Sequence, residues 1–373
     1  MSLRRSGKGS RKSRQAVDRG AISAESVGGI FPKIGLPVRP PFPPMEARSA
    51  AKLPDNTDQQ FEPKWDGFRC LAFRKGKLVL LQSKAGQPLG RYFPELLSAL
   101  RDLPAPSYVL DGEIVIFHGK QLSFDDLLMR IHPAESRIRK LSQESPATLM
   151  CFDLLVDSAG KSLVALPLRH RREKLEQFLR DLPSDGTIRL SPASRDRTQA
   201  DRWMRELATI GLDGVIAKQL DAPYLSGERS AMVKVKRIRT ADCVVGGFRY
   251  AEKGDGVGSL LLGLYDNEGT LDHVGFTSSF NAQQRSDLRK VVRPLVGGQG
   301  FTGRAPGGPS RWSTRRSAEW KPLRPKLVCE VQYDHFSGGR FRHGTKFLRW
   351  RPDKKPAQCT FAQVTSNKIA SGR

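Results

Sequence analysis

Short runs in which apolar and polar positions alternate dominate the chain, the period-two signature of strands. Cys70 to Phe73 and Lys77 to Leu81 flank a basic turn at Lys75-Gly76 and predict a hairpin. Tyr108 to Leu110 and Glu113 to Phe117 predict two strands bracketing Asp111-Gly112. Leu149 to Val156 is an apolar run broken by one acid, Asp153. Helical spacing takes over twice. Leu168 to Leu182 puts Leu175, Phe178 and Leu179 on one face, and Trp203 to Ile210 predicts a second helix ended by Gly211. Strands and helices interleaved in this way predict an α+β fold. After Lys236 the texture changes to short strands: Asp242 to Phe248, Ser259 to Tyr265, Leu271 to Phe276 and Leu327 to Tyr333. Asp266-Asn267-Glu268-Gly269 turns between two of them. This predicts a small closed or partly closed barrel. Residues 296–324, rich in Gly, Pro and Arg, predict a mobile basic loop.

Composition adds a partner and a compartment. Lys and Arg number 63 against 38 Asp and Glu, a net charge of +25 over 373 residues. Such an excess favours a polyanion, nucleic acid before an anionic membrane. No run approaches the length of apolar chain that spans a bilayer, and the start lacks the apolar core of a secretory signal. The five cysteines show no CxxC spacing, which predicts a reducing compartment without disulfides or a zinc site. The six histidines are scattered and read as surface or packed residues. Residues 1–35 carry few large apolar side chains and predict a disordered basic tail. Pro37 to Pro44 reads as an extended lead-in.

The run Glu62-Pro63-Lys64-Trp65-Asp66-Gly67-Phe68-Arg69 matches KxDGxR, the core of a nucleotidyl-transfer motif whose lysine carries a nucleoside monophosphate as a phosphoramide. A lysine attacks only when neutral. With a reference pKa of about 10.4, about one in a thousand is deprotonated near neutral pH, a handicap of roughly 4 kcal/mol. Burial and nearby cations such as Arg69 would relieve it. Alone, KxDG marks a surface turn more readily than a catalytic lysine. An ordered downstream set decides the matter: Ser83-Lys84-Ala85-Gly86, Asp111-Gly112-Glu113-Ile114-Val115, Cys151-Phe152-Asp153, Gly211 to Lys218, Lys234-Val235-Lys236 and Arg349 to Lys354.

With these residues the chain resembles the ATP-dependent DNA ligases of the covalent nucleotidyltransferase superfamily, from about Pro37 to Pro356. Arg91 to Leu96 and Arg130 to Arg137 are similar to the compact C-type bacterial ligases. The resemblance implies an α+β nucleotidyltransferase (adenylation) domain over 36–238, an OB-fold β-barrel domain over 239–357 and a tail over 358–373. It implies sealing of nicked double-stranded DNA in repair, through a lysyl-AMP made from ATP with Mg²⁺ or Mn²⁺, by a cytoplasmic, nucleoid-associated monomer. Rival readings are an RNA ligase, a guanylyl-transferring capping enzyme, or a basic OB-fold DNA-binding protein with an inactive transferase domain.

Residue roles follow from the same resemblance. Lys64 is the expected nucleophile, with Glu62 beside the adenine and Phe152 stacked on the base, plain core being the alternative for Phe152. Arg69 is expected on a phosphate or the ribose. Lys84 stands where the family usually has Arg and loses bidentate geometry. Glu113 is expected on a ribose hydroxyl or a metal-bound water. Asp213 is expected at the metal, where the superfamily often has Glu, and Lys218 on a phosphate or in solvent. Lys234 and Lys236 alternate on a strand and so share a face, suited to the α-phosphate. Arg229 is a further nucleotide ligand. Arg351, Asp353 and Lys354, on the second domain, are expected to swing over the triphosphate and orient pyrophosphate, about a hinge near Lys236 to Asp242.

Overall fold

The computed structural model describes residues 30–55, 58–182, 186–206, 211–236, 239–252, 254–307 and 319–365. The first module runs β1 (Arg48–Ser49), β2 (Gln59–Lys64), β3 (Phe68–Lys75), β4 (Leu78–Ser83), α1 (Pro94–Asp102), β5 (Ser107–His118), β6 (Gln121–Leu122), α2 (Phe124–Met129), α3 (Glu135–Glu144), β7 (Ala147–Val156), α4 (Leu168–Leu179), β8 (Ile188–Leu190), α5 (Arg197–Glu206), β9 (Gly214–Gln219) and β10 (Met232–Lys236). Two sheets result. One has the order β1-β10-β9-β2, the other β4-β3-β5-β7-β8 with β6 against β5.

Burial explains the layering. Leu96 and Leu100 of α1 and Leu175 and Leu179 of α4 pack with Cys70, Leu110, Leu149 and Cys151 on one face of the larger sheet. Its other face brings Leu71, Phe73, Val109 and Leu155 together with Met232, Tyr224 and the lead-in residues Ile34, Leu36 and Val38. Phe31 and Ile34 are buried, so the expected tail of 1–35 is shortened; residues 1–29 of it lie outside the described residues. Asp153, the acid within the fully buried β7, is held by Arg171 of α4 through two bonds of 2.9 and 3.0 Å. The motif stretches at 91–96 and 130–137 also meet: buried Arg130 holds Glu95 at 2.8 Å and donates to the Tyr92 carbonyl. They build the fold rather than the site.

The expected hairpin forms, β3 pairing β4 with Lys75 opposite Leu78. Asp111-Gly112 does not divide two strands. It lies inside the twelve-residue strand β5, with a register shift between the two residues against β7. Gly112 allows this because a Cβ there would lie 2.8 Å from the Met150 carbonyl. The helix expected from Trp203 begins earlier, at Arg197, and 207–210 lie outside the described residues.

The second module contains β11 (Arg239–Tyr250), β12 (Val257–Tyr265), β13 (Leu271–Thr277), α6 (Ala282–Val292), β14 (Lys321–Pro322), β15 (Val328–Tyr333), β16 (Phe336–Ser337), β17 (Arg340–Phe341), β18 (Lys346–Trp350) and α7 (Ala362–Thr365). The strand order is β13-β12-β11-β15-β18, and a parallel bridge from Thr277 to Thr345 joins the two ends into a five-stranded barrel. The Gly-rich stretch is not loose where described. Phe301 is buried, and β14 pairs β11; residues 308–318 lie outside the described residues. The expected tail from 358 starts inside the fold: Cys359 is buried and Gln363 donates to the Asp242 carbonyl.

Candidate active site

Lys64 ends β2, and the turn that follows carries Asp66-Gly67 back into β3. Gly67 is required there, because a Cβ would lie 2.1 Å from the Ile114 carbonyl oxygen of β5. This close approach brings the lysine and Glu113 to one cleft of about 220 Å³. Its lining includes Glu46, Glu62, Lys64, Arg69, Lys84, Glu113, Phe152, Lys218 and Lys234.

The floor is made of buried charge in pairs. Glu62, only 2% exposed, bonds Lys218 Nζ at 2.8 Å and accepts from Gln60 Nε2 at 2.7 Å. Lys218 therefore reaches neither solvent nor a free position; it lies 4.5 Å from the centre of the Phe152 ring. Arg69 lies 4.6 Å from the same ring and forks onto both oxygens of Asp111 at 2.6 Å. Tyr224 donates to Asp111 as well, at 2.6 Å. Phe152 is thus a ring with two cations close to it at the edge of a cleft.

The rim is looser. Glu46 is shared by Lys84 at 3.0 Å and Arg229 at 2.8 Å, both of them exposed. Lys234 lines the cleft and has no carboxylate partner among the described residues. Burial lowers its pKa, and the cations Lys64, Lys84, Lys236 and Arg229 lower it further. Glu113 forms no side-chain hydrogen bond or ion pair among the described residues. Burial raises its pKa to about 7, against the pull of Arg69 and Lys64.

Beside the cleft, Asp213 gathers three partners. Its Oδ2 meets Lys64 Nζ at 2.7 Å and Lys236 Nζ at 3.1 Å, and its Oδ1 meets His335 Nε2 at 2.9 Å. Burial opposes ionisation, yet the His335 bond and Lys64 outweigh it and hold the pKa far below the usual carboxylate range. Lys236 bonds Asp334 too, at 3.1 Å, so the alternating pair on β10 divides: Lys234 faces the cleft and Lys236 is neutralised.

His335, Asp334 and Arg342 come from the barrel, around β16 and β17. Arg342 bonds Asp66 at 2.6 Å and lies 3.8 Å from the centre of the Phe124 ring. These residues carry no spacing signal, and His335 departs from the expectation of a merely surface or packed histidine. Arg351, Asp353 and Lys354 are not at the cleft. Arg351 bonds Asp353 at 2.7 Å, and Arg351 and Lys354 hold Asp242 of β11 at 2.9 and 2.6 Å. The expected residues Arg351, Asp353, Lys354, Arg229, Asp213 and Lys236 thus stand outside the cleft lining, each engaged in an ion pair beside the cleft or away from it.

A carboxylate, an amine and a ring beside cations can take up a nucleotide and accept its phosphorus at Lys64. Comparisons agree with that chemistry. The family described as ATP dependent DNA ligase domain matches residues 44–236, and the one described as ATP dependent DNA ligase C terminal region matches 253–354. The chain is 47% identical to DNA ligase C1 of Mycolicibacterium smegmatis over 339 residues, covering 88% of this chain and 95% of that protein. It is 42% identical to DNA ligase C of Mycobacterium tuberculosis over 352 residues, covering 88% and 95%. A solved Lig E DNA ligase shares the fold at a TM-score of 0.52 and 16% identity, over 82% of this chain and all of that one.

Proposed function

The chain belongs to the ATP-dependent DNA ligases, and from that premise we propose which of its residues carry each part of the reaction. Nick sealing with ATP is the activity of the family. Lys64, as the neutral amine, attacks the α-phosphorus of ATP in line and takes AMP, releasing pyrophosphate. AMP passes to the 5′-phosphate of the nick, and the 3′-hydroxyl then displaces it.

One observation carries the assignment: Lys64 opens onto the same cleft as Phe152, Glu62, Arg69 and Lys234. Phe152 offers a face to the base, flanked by Arg69 and Lys218. Glu62, already paired, receives the exocyclic amine of adenine. Arg69 contributes less to the phosphates than its sequence position suggests, because Asp111 occupies its fork. Lys234, free of a carboxylate, lies where charge grows on the α-phosphate. Lys84 and Arg229 can exchange Glu46 for phosphate or ribose oxygens.

The residues fit a divalent ion in one way. No group of three His, Cys, Asp or Glu that could hold a metal occurs among the described residues. Glu113 faces the cleft without an ion-pair partner, and Mg²⁺ commonly takes one carboxylate, substrate phosphates and water. Asp213 fits less well, since both its oxygens are taken by Lys64, Lys236 and His335. When bound at Glu113, Mg²⁺ or Mn²⁺ would offset charge on the phosphates. Arg351, Asp353 and Lys354 act over the triphosphate only after the barrel turns about the hinge expected near Lys236 to Asp242, of which 237–238 lie outside the described residues. The net charge of +25 steers the chain to duplex DNA, and we place it as a nucleoid-associated cytoplasmic monomer. No helix among the described residues is long and apolar enough to cross a membrane.

Purified protein incubated with ATP should gain the mass of one adenylate on Lys64. Lys64→Ala should lose that adduct and more than about 10³-fold of nick sealing. Equal sealing by the variant would sink the assignment, and labelling by GTP in place of ATP would return the chain to the capping-type reading.

A further inference from the structure

The contact between His335 and Asp213 is the feature that nucleotide binding does not use. His335 follows β15 in the barrel and Asp213 precedes β9 in the first module, 122 residues apart. Asp213 is only 5% exposed, and its amide donates to the Lys64 carbonyl at 3.2 Å. An ionised carboxylate only accepts, so Nε2 of His335 carries the hydrogen of the 2.9 Å bond. That bond occupies Oδ1 and leaves Oδ2 aimed at Lys64 Nζ, 2.7 Å away. The imidazole also stands 3.7 Å from Asp66, whose other partner is Arg342. It is therefore delivered only when the barrel sits with β16 and β17 against the first module. In the same arrangement Arg351, Asp353 and Lys354 are bound among themselves and to Asp242, outside the cleft lining.

An arrangement that pins Nζ to a carboxylate opposes attack by Lys64, which needs the free amine. It suits the opposite event, departure of Lys64 from AMP. We propose that His335 is a positioning residue for the transfer of AMP from Lys64 to the DNA 5′-phosphate, acting by orienting Asp213 on the leaving nitrogen. In that step the bond from phosphorus to Nζ breaks and a bond from phosphorus to a 5′-phosphate oxygen forms. Nζ, which carries one hydrogen in the phosphoramide, leaves with the electron pair of the broken bond and takes up two protons drawn from water, one to depart as the amine and one to end as the ammonium that Asp213 holds. Lys236 shares the same Oδ2 at 3.1 Å, so the carboxylate holds the Lys64 ammonium beside a second cation. Without the imidazole, Oδ1 is free and the carboxylate can turn away, so the nitrogen departs unassisted. Asp213 thereby belongs to lysine release more than to metal binding.

This inference rests on Lys64 being the AMP carrier, and the test separates the two. Full-length wild type and His335→Ala are each loaded with labelled AMP, freed of ATP and mixed with excess nicked duplex. Three single-turnover rates are read: loading of the enzyme, transfer of AMP to the nick, and sealing of a nick already carrying AMP. His335→Ala should slow transfer at least about tenfold more than it slows loading or sealing, and His335→Gln or His335→Asn, which keep a donor, should restore part of the difference. DNA affinity measured alongside should change by less than the transfer rate. Equal slowing of transfer and sealing would mean that His335 only docks the barrel, and unchanged transfer would remove any role; either result overturns the proposal. Failure of wild type to load at all would instead refute the assignment of Lys64.

Discussion

On the floor of the cleft Arg69 forks onto buried Asp111, and Glu62 meets Lys218, in pairs largely withdrawn from water. On its rim Lys84 and Arg229 share Glu46 in the open. The residue types are alike and their consequences differ. A buried charge cannot trade its partner for water, so the floor is a rigid frame that holds Phe152 and Glu62 in place for a base. A rim charge exchanges one oxygen for another at little cost, which is what a site needs where phosphates arrive and leave. On the proposed assignment, order at the floor selects the nucleotide and looseness at the rim lets the reaction proceed.

The comparison breaks most sharply at Asp111. Asp111→Ala would strand Arg69 and the Tyr224 hydroxyl, and should lower stability by about 3–5 kcal/mol in urea unfolding. A loss no larger than that of a rim variant would erase the distinction. Glu113 sharpens it next. Its unfolded value is 4.5 and its folded value about 7, so between those pH values the unfolded chain binds fewer protons. Stability from this group is therefore present below pH 4.5 and lost as pH rises to about 7, on the order of 1–3 kcal/mol. Unfolding of Glu113→Gln across that window should lack this decline; parallel profiles for the two proteins would contradict the burial argument. The smallest effects belong to the rim. Lys84→Ala and Arg229→Ala should each change stability by less than about 1 kcal/mol, while the KM for ATP rises a few-fold. Lys84→Arg should lower KM if a bidentate contact is the better one there. A large stability loss in either alanine variant would show that the rim is structural.

Part of this site was legible without coordinates. Residue type and order point to Lys64, Glu113, Phe152 and Lys234, and all four line the cleft. Lys218 was legible as a cation but not as a buried one, since its burial depends on Glu62 of the neighbouring strand, two positions along from Gln60, Lys218's register partner. Asp111-Gly112 reads as a break between two strands because Asp-Gly disfavours strand interiors; pairing with β3 and β7 on both sides overrides that preference. His335 and Arg342 were illegible. A single histidine or arginine has no period, and their meaning lies in a carboxylate more than a hundred residues away.

Local rules account for what the amino-acid order determined by itself: the hairpin at Gly76, the strand runs, the change of texture after Lys236, and a lysine in a chemically sufficient set. Each depends on neighbours along the chain, where alternation, turn residues and charge can be read directly. Tertiary structure alone decided which charges are spent on each other and which remain for a nucleotide. It turned Arg69 toward Asp111, Lys236 toward Asp213 and Asp334, and Arg351 toward Asp242, and it left Lys234 facing the cleft. The physical reason is that a charge acts over a few ångströms of space, whatever its distance in sequence, and only packing sets those distances.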